Sequence, residues 1–383
     1  MQPFDDEQHR NIANLESFYE QLVLAARELD GPYRGSLRWK FASGRQYLYQ
    51  RRSDNPLVDT SLGLRSEQTE ARMVAFQQGK AAATVRHQKA LNETQRFAKI
   101  ARTLGLGLVP AQAARVLRHL DLRAMLGRPL LAVGTIAMPV YEIEAGGRIF
   151  HGFDATQDFD LTWRGTDPLH LQSAGTISIL DTLREIDPLY TKNTERSFQA
   201  VSGNYEVEVL AAPSTLASFP KNDLVPLRGL VEQEWLLLGQ PVRHIACAMD
   251  GTPAPIAAPD PRWMALHKLW LSQKPQRHAV KKPKDQAQGL LLLRALLEAM
   301  PAYSLDDEFV SAVPKELRGF LRSGVDWAIK NPSSKEAEDA FTASAPLDKD
   351  VLKKIRRTPA VPLKFPAEYP GASETLRRWP RGF

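Results

Sequence analysis

The chain has 383 residues, of which 43% are hydrophobic and 25% charged, a balance typical of folded globular proteins. Its one cysteine, Cys247, excludes an intramolecular disulfide and a cysteine-rich zinc site. The net charge of +6 permits a phosphate-rich partner without requiring one. The first residues are acidic and no long apolar run follows, so we expect no secretory signal, no membrane span and a cytoplasmic location.

The first 125 residues are predicted to form a mostly helical region. Apolar residues recur every three or four positions over residues 7–29, which predicts a helix. Residues 36–52 predict a hairpin that turns at Ser43-Gly44, and we interpret its alternating aromatic residues, between 39 and 49, as core packing. Ser66 is a suitable N-cap for a long helix that ends near 103, and Pro110 begins another.

Residues 126–258 show a change to strand patterns and are predicted to form a separate domain. Strands are expected at 129–133, around 158–163 and at 242–249, with a hairpin at 198–212 and short helices at 136–144 and 178–187. A stretch rich in proline and alanine, 251–261, marks the predicted boundary. A helical domain over 259–357 is expected to follow, with helices at 262–273, 283–300, 306–330 and 346–356, and then an extended basic arm over 358–383.

The strand near residue 160 carries two carboxylates on one face. Side chains alternate between the two faces of a strand, so Asp158 and Asp160 point the same way, together with the side chains of Thr156 and Thr162. The other face, with Phe159, Leu161 and Trp163, is apolar and suited to a core. Two carboxylates so close repel unless a cation lies between them, and a hard divalent cation is the usual solution. The alternative is a solvated strand edge.

Three features in this region resemble the nucleotidyltransferase superfamily that includes DNA polymerase beta. A strand ends in Gly134-Thr135 and leads into a helix, where glycine lets a backbone approach closely and N–H groups at the helix start favour a phosphate, so both residues are expected at the nucleotide site. Asp158 and Asp160 follow, and Glu208 lies on a later strand. The resemblance implies an α/β fold with a small mixed sheet of the nucleotidyltransferase type, flanked by helical regions on both sides. It also implies that Asp158 and Asp160 hold two magnesium ions and that Glu208 completes the metal site.

Other stretches resemble a bacterial family of nucleotidyltransferase-fold proteins. The resemblance lies in Ser61-Leu62-Gly63-Leu64-Arg65-Ser66, then Pro261, Leu266-His267-Lys268-Leu269 and Arg277, then Lys284-Asp285-Gln286-Ala287-Gln288. Lys268 or Lys284 could neutralise a triphosphate, although a solvated charged helix is an equal alternative. Gln288 shares a helix face with Lys284 and is expected at the same nucleotide site. Arg65 is expected there too, on the basis of the resemblance alone.

This sequence departs from the family pattern at two positions. The third carboxylate of the family is usually Asp, whereas this chain has Glu208, and Glu206 lies on the same strand face and could replace it. Gly134-Thr135 stands in place of the commoner Gly-Ser and keeps a hydroxyl group. His267 is interpreted as a packed, hydrogen-bonded side chain rather than a catalytic base.

The leading functional hypothesis is Mg²⁺-dependent transfer of a nucleoside monophosphate from an NTP, such as ATP, to a hydroxyl group. The acceptor would be an RNA, for example a tRNA, or a protein. One alternative is a non-catalytic, regulatory nucleotide-binding protein, and another is a toxin-like transferase of a toxin–antitoxin or phage-defence system. The basic residues near the C-terminus favour RNA weakly, because counterion release would strengthen such binding.

Overall fold

A computed structural model describes residues 1–51, 59–149, 158–165, 178–196, 198–219, 223–226, 228–334 and 348–363. The protein is a mixed α/β structure in which small sheets lie between N-terminal and C-terminal helices, as the fold class predicted. None of the helices in these ranges combines the length and the apolar character that crossing a membrane would require. Thr156 and most of the predicted basic arm lie outside the described residues.

The helices in these ranges follow one another as α1 (Asp6–Asp30), α2 (Glu67–Thr103), α3 (Ala111–Leu122), α4 (Met138–Glu144), α5 (Ile179–Ile186), α6 (Pro213–Leu216), α7 (Gln233–Leu236), α8 (Pro261–Gln273), α9 (Lys281–Ala299), α10 (Asp307–Ala312), α11 (Lys315–Lys330) and α12 (Lys349–Arg356). The strands are β1 (Gln2–Pro3), β2 (Ser36–Ala42), β3 (Arg45–Arg51), β4 (Asp59–Leu64), β5 (Leu108–Val109), β6 (Leu130–Val133), β7 (Gly147–Arg148), β8 (Asp158–Trp163), β9 (Thr191–Lys192), β10 (Gln199–Ser202), β11 (Tyr205–Ala211), β12 (Val242–Ala248) and β13 (Pro253–Ala258). The helices and strands predicted from the sequence within the described ranges are present, with bounds that differ by a few residues, except that 306–330 forms two helices, α10 and α11, which are interrupted at Val313-Pro314.

Local sequence accounts for how the N-terminal helices begin and pack. The side chain of Ser66 accepts a hydrogen bond from the backbone N–H of Thr69, so it is the N-cap of α2 that the sequence predicted. Helices α1 and α2 pack against each other, and the ring of Phe18 stacks on that of Phe97 with 5.5 Å between their centroids. Apolar burial between the helices therefore stabilises both of them.

Strands β2, β3 and β4 form an antiparallel sheet beside α2. The predicted turn joins β2 to β3, and both Ser43 and Gly44 have positive φ, as a type I′ turn requires. Strand β4 was not predicted, and it pairs with β3 around an irregularity next to Leu48.

The interpretation of the hairpin aromatics as core residues is wrong. Leu48 is completely buried, but Trp39, Tyr47 and Tyr49 are only partly buried and Phe41 is 73% exposed. Tyr47 and Tyr49 lie on the face that does not pack on the rest of the protein, whereas Phe41 lies on the face of Leu48 but at its open end beside the turn.

A five-stranded mixed sheet carries the predicted carboxylates. Its strand order is β6-β8-β11-β10-β9, and β8 and β11 run parallel while the other neighbours are antiparallel. The apolar side chains of β8 are buried, as their alternation predicted: Phe159, Leu161 and Trp163. Residues at even positions of β11 are half-buried and those at odd positions are buried, so one face of the sheet stays accessible.

The stretch interpreted as a domain boundary contains a buried strand. Strand β13 pairs with β12 in an antiparallel hairpin that turns at Asp250-Gly251, and every residue of β13 is buried. Proline is tolerated here because β13 lies at the edge of its three-stranded sheet, whose order is β13-β12-β5. The predicted domain boundaries themselves stay predictions.

The C-terminal helices pack on the central part of the protein. Helix α8 lies against α9, and α11 packs on both. A single cluster of buried apolar side chains includes Leu15 of α1, Leu161 of β8, Leu266 of α8 and Ile355 of α12. The helices α8 and α9 are thereby fixed beside the accessible face of the five-stranded sheet.

Candidate active site

Two carboxylates lie side by side on the accessible face of the five-stranded sheet. Asp160 of β8 is the register partner of Glu208 on the parallel strand β11, and partners on neighbouring strands project from the same face. Both side chains line a cavity of about 320 Å³, together with Leu210 from the same face of β11. The structure therefore brings together two residues that are 48 positions apart in the sequence.

Gly134 brings the backbone against one of these carboxylates. Its φ is +73°, a conformation that glycine adopts far more readily than other residues. A β-carbon at this position would lie 2.9 Å from Oδ2 of Asp160, so no larger residue fits without displacing that side chain. The backbone at Gly134 therefore lies close to Asp160, and its expected approach to a phosphate stays a prediction.

A second pair of acidic residues lies two residues earlier on each of the same two strands. Asp158 is the register partner of Glu206, so the backbone places these residues on the same face as Asp160 and Glu208. The side chain of Asp158 is outside the described part of the structure. Glu206 is half-buried and does not line the cavity.

Cationic side chains form the opposite wall of the cavity. They come from α8, from the connection that follows it and from the first turn of α9: Lys268, Lys274, Arg277 and Lys281. The sheet side contributes Asp160 and Glu208, and Glu232, just before α7, pairs with Lys274 at 2.6 Å. The cavity therefore has anionic groups on the sheet and an excess of cationic groups on the helices.

Asp285 of α9 holds two of these cations in place. Its carboxylate lies 2.9 Å from Nζ of Lys268 and 2.7 Å from Nε of Arg277, and the Lys268 and Asp285 side chains are each only 3% exposed. Burial acts to raise the pKa of Asp285, but the charges of Lys268 and Arg277 outweigh it and lower that pKa below its ordinary value. Asp285 is therefore charged at neutral pH and fixes where Lys268 points.

A neutral histidine lies beside these cations. Burial, reinforced by the charge of Lys268, lowers the pKa of His267 to about 3. Neither ring nitrogen has a hydrogen-bond partner among the described residues, although the side chain lines the cavity and its ring meets Trp235 edge to face. Gln233 of α7 also lines the cavity, and its Oε1 is buried without a partner in the same ranges. Packing of His267 was predicted; its expected hydrogen bond is not found among these residues.

The comparison with protein families decides the classification. A family model described as nucleotidyltransferase matches residues 111–314, which is more than half of the chain. The chain belongs to this nucleotidyltransferase family. Neither a curated protein nor a solved structure gives a significant match.

The matched segment of this nucleotidyltransferase contains both walls of the cavity. It includes β6, the strands of the carboxylate face and helices α8 and α9. The predicted residues Gly134, Asp160, Glu208 and Lys268 line the cavity together. The resemblance to a nucleotidyltransferase stated from sequence is thus confirmed at the level of this family.

Four further residues predicted for the nucleotide site do not line the cavity. Thr135 is half-buried in the 3-10 turn after β6, and Lys284 is half-buried on the first turns of α9. Gln288 is completely buried, with no hydrogen bond from its amide to the described residues. Arg65 follows β4, where it pairs with Glu70 at 2.7 Å and covers the ring of Trp39. Their predicted roles stay predictions.

Sequence reasoning did not select three of the cationic lining residues. Lys274 and Lys281 belong to a basic run between two helical patterns, and Arg277 was used only as part of the family resemblance. The signal was the concentration of bases in a helix connection of this nucleotidyltransferase. Gln233 gave no such signal, because a lone glutamine before a short helix is unremarkable in sequence.

The donor set on the sheet suits a hard cation. Asp160 and Glu208 supply carboxylate oxygens on adjacent strands, and Mg²⁺ prefers oxygen ligands. Within the described ranges no group of three His, Cys, Asp or Glu side chains is arranged to hold a metal, but the Asp158 side chain lies outside them. The two carboxylates present therefore fit a Mg²⁺ site that a third ligand would complete.

Proposed function

We propose that this protein is a Mg²⁺-dependent nucleotidyltransferase that moves a nucleoside monophosphate from an NTP to a hydroxyl group of an RNA or protein acceptor. The family provides the reaction class. The observation that carries the finer proposal is the pairing of Asp160 with Glu208 on one wall of a cavity whose other wall is cationic. A metal-bound triphosphate needs this separation of charge.

Magnesium would be held by Asp160 and Glu208, with Asp158 as the third ligand by family resemblance. When bound, Mg²⁺ stabilises negative charge on the attacking and leaving oxygens of an in-line displacement at phosphorus. Glu208 rather than Glu206 is proposed for this role, because Glu208 is the register partner of Asp160 and lines the cavity.

The chain's own residues act mainly by positioning and by charge. Lys268, fixed by Asp285, and Lys274 would contact the β- and γ-phosphates, because both line the wall opposite the carboxylates. The acceptor hydroxyl forms a new oxygen–phosphorus bond at the α-phosphate. The bond from that phosphorus to the bridging oxygen breaks, and pyrophosphate leaves. The hydroxyl proton passes to a carboxylate of the sheet wall, for which Glu208 is the candidate.

The experiment that tests this proposal follows the label from two positions of the NTP. The purified full chain is incubated with Mg²⁺ and each NTP, labelled at the α- or the γ-phosphate, with and without total RNA. We expect α-label, and no γ-label, to become attached to RNA or to protein. Asp160→Asn should abolish that transfer, while Glu206→Gln serves as a matched control on the same sheet face.

Two outcomes would contradict the proposal. Attachment of the γ-label would indicate a kinase-type reaction instead. An NTP that binds and is never turned over by the unmodified chain would favour the non-catalytic nucleotide-binding alternative.

A further inference from the structure

One face of the N-terminal sheet displays a cluster of cationic and aromatic side chains. The antiparallel register of β2 with β3 places Arg38 opposite Tyr49, and Lys40 opposite Tyr47. Partners in register share a face, so these four side chains lie together, opposite the face of the buried Leu48. We name this the basic–aromatic face, and its further members are Ser36, Arg45, Arg51, Asp59 and Ser61.

The basic–aromatic face points away from the rest of the protein. Leu37, on the opposite face, lines a cleft against α2, and Leu48 on that side is fully buried. The side chains of Arg38, Lys40 and Arg51 remain 35–40% exposed, and the first residue of β3, Arg45, is exposed as well.

Charge on this face is strongly unbalanced. Four cations share it with one carboxylate, Asp59, which is bonded to Arg38, Lys40 and Arg51 and is only 8% exposed. Asp59 therefore orders the three cations that surround it without cancelling their charge. A face of this sign attracts polyanions.

We propose that the basic–aromatic face binds single-stranded RNA and that this RNA presents the acceptor hydroxyl of the reaction proposed above. This inference rests on that proposed function. Tyr47 and Tyr49 are two residues apart on β3, so their rings project from one face and can stack on unpaired bases. Nζ of Lys40 lies over the Tyr49 ring, 5.2 Å from its centroid, and would move to a phosphate when a base stacks there. The surrounding cations would track the phosphates between those bases. A double helix hides its base faces and would leave the tyrosine rings unused.

Hydroxyl groups on the same face favour RNA over DNA. Ser61 is exposed on this face, and Ser36 is exposed at its edge, where it also borders the cleft against α2. Groups of this kind can hydrogen-bond to the ribose 2′-hydroxyl, which DNA lacks. The face therefore has cations and aromatic rings that can bind any single-stranded nucleic acid, and hydroxyl groups that can distinguish ribose from deoxyribose.

The test measures binding of the full-length protein to a fluorescently labelled, mixed-sequence single-stranded RNA by anisotropy across a salt series. We expect a slope of log K against log salt of about −2, because three net charges on a single strand contribute about 0.7 each. Tyr47→Ala/Tyr49→Ala should weaken binding at least about tenfold, whereas Tyr47→Phe/Tyr49→Phe should keep it, because phenylalanine still stacks. Arg45→Gln should reduce the slope by about 0.7.

Three controls make the result specific to this face. Phe41→Ala removes an exposed aromatic ring from the opposite face of the same hairpin and should leave binding unchanged. Lys349→Gln/Lys353→Gln removes two exposed charges from α12 and should have a much smaller effect than the tyrosine variant. A DNA strand of the same sequence should bind more weakly than RNA.

The two proposals fail in different ways. Asp160→Asn should lose transfer but bind RNA normally, and the double alanine variant should bind NTP normally but lose transfer to RNA. Absence of RNA binding at low salt, or equal loss in the α12 variant and the tyrosine variant, would overturn the RNA site. Such a result would not contradict the proposed nucleotidyl transfer, which the α-phosphate label experiment tests separately.

Discussion

The ammonium group of Lys268 lies 2.9 Å from the carboxylate of Asp285, inside a helix pair where both side chains are almost fully buried. A charged group in such a place is costly unless its partner remains, since removal from water is repaid only by the pairing. This ion pair also sets the position of a cation on the cavity wall. Under the proposed function, fold stability and nucleotide binding therefore depend on the same two residues.

Breaking this ion pair from one side should destabilise the protein strongly. We expect Asp285→Ala to lower the free energy of unfolding by about 3–5 kcal/mol, because Lys268 is left charged and buried. The double variant Lys268→Met/Asp285→Leu should recover part of that loss, since it replaces the two buried charges by apolar groups of similar size and takes the Asp285 carboxylate only from Arg277, which is 29% exposed. It should not transfer nucleotides. Urea unfolding and the α-label assay measure the two effects, and equal stability of the single variant and the native chain would refute the argument.

Gly134→Ala should reduce nucleotidyl transfer because the added methyl group displaces the carboxylate of Asp160. The positive φ of Gly134 costs an alanine about 1–2 kcal/mol, and the new β-carbon would press on Asp160. Gly203→Ala is the matched control, because Gly203 also has a positive φ, +58°, but nothing lies within 4 Å of the added carbon. We expect similar losses of stability in both variants and a loss of transfer in Gly134→Ala only. If both variants transfer nucleotides at the native rate, Asp160 does not need its observed position.

The two glutamates of β11 should differ in their importance for transfer. Glu208→Gln is expected to slow transfer by about a hundredfold or more, the usual cost of losing a positioned acid–base group. Glu206→Gln should have a small effect, since Glu206 is outside the cavity. Steady-state rates at saturating NTP and Mg²⁺ make the comparison, and the reverse ranking would assign the role to Glu206.

Burial of neutral His267 should make the protein less stable in mild acid. The pKa of this histidine is about 3 in the folded state and about 6.5 when unfolded, so below pH 6.5 only the unfolded chain takes up the proton. Stability should then fall as the pH falls, by up to about 1.4 kcal/mol per pH unit from this group. Urea unfolding at pH 7, 6 and 5 should show a shallower decline for His267→Gln than for the native chain. Replacement of the exposed His278 by Gln is the control, and an unchanged decline in His267→Gln would contradict the prediction.

Much of the secondary structure follows from short-range patterns in the sequence. The alternation in β8 buries Phe159 and Leu161 and turns Asp160 to the other face, because side chains of a strand alternate whatever the strand pairs with. Ser66 caps the start of α2 in the same local way, because its side chain accepts a hydrogen bond from the backbone N–H of Thr69, three residues later. Such features depend on neighbours in sequence and are therefore readable from it.

These local patterns do not predict which distant segments of the chain pair with each other. The residues of β13 were interpreted as part of a domain boundary because proline and alanine dominate them, and only pairing with β12 makes that stretch a buried strand. The aromatic residues of the hairpin looked like core residues by alternation alone. The absence of a covering element on one side decides that Tyr47 and Tyr49 stay partly exposed.

The candidate site shows the same division. The sequence by itself determined which carboxylates share a strand face, since a period of two residues fixes that choice for Asp158 and Asp160 and for Glu206 and Glu208. Only the tertiary structure decided that Glu208 stands opposite Asp160, and that Lys268 rather than Lys284 lines the cavity. Strand register and helix packing are set by burial summed over many distant contacts, so no single stretch of sequence contains the information.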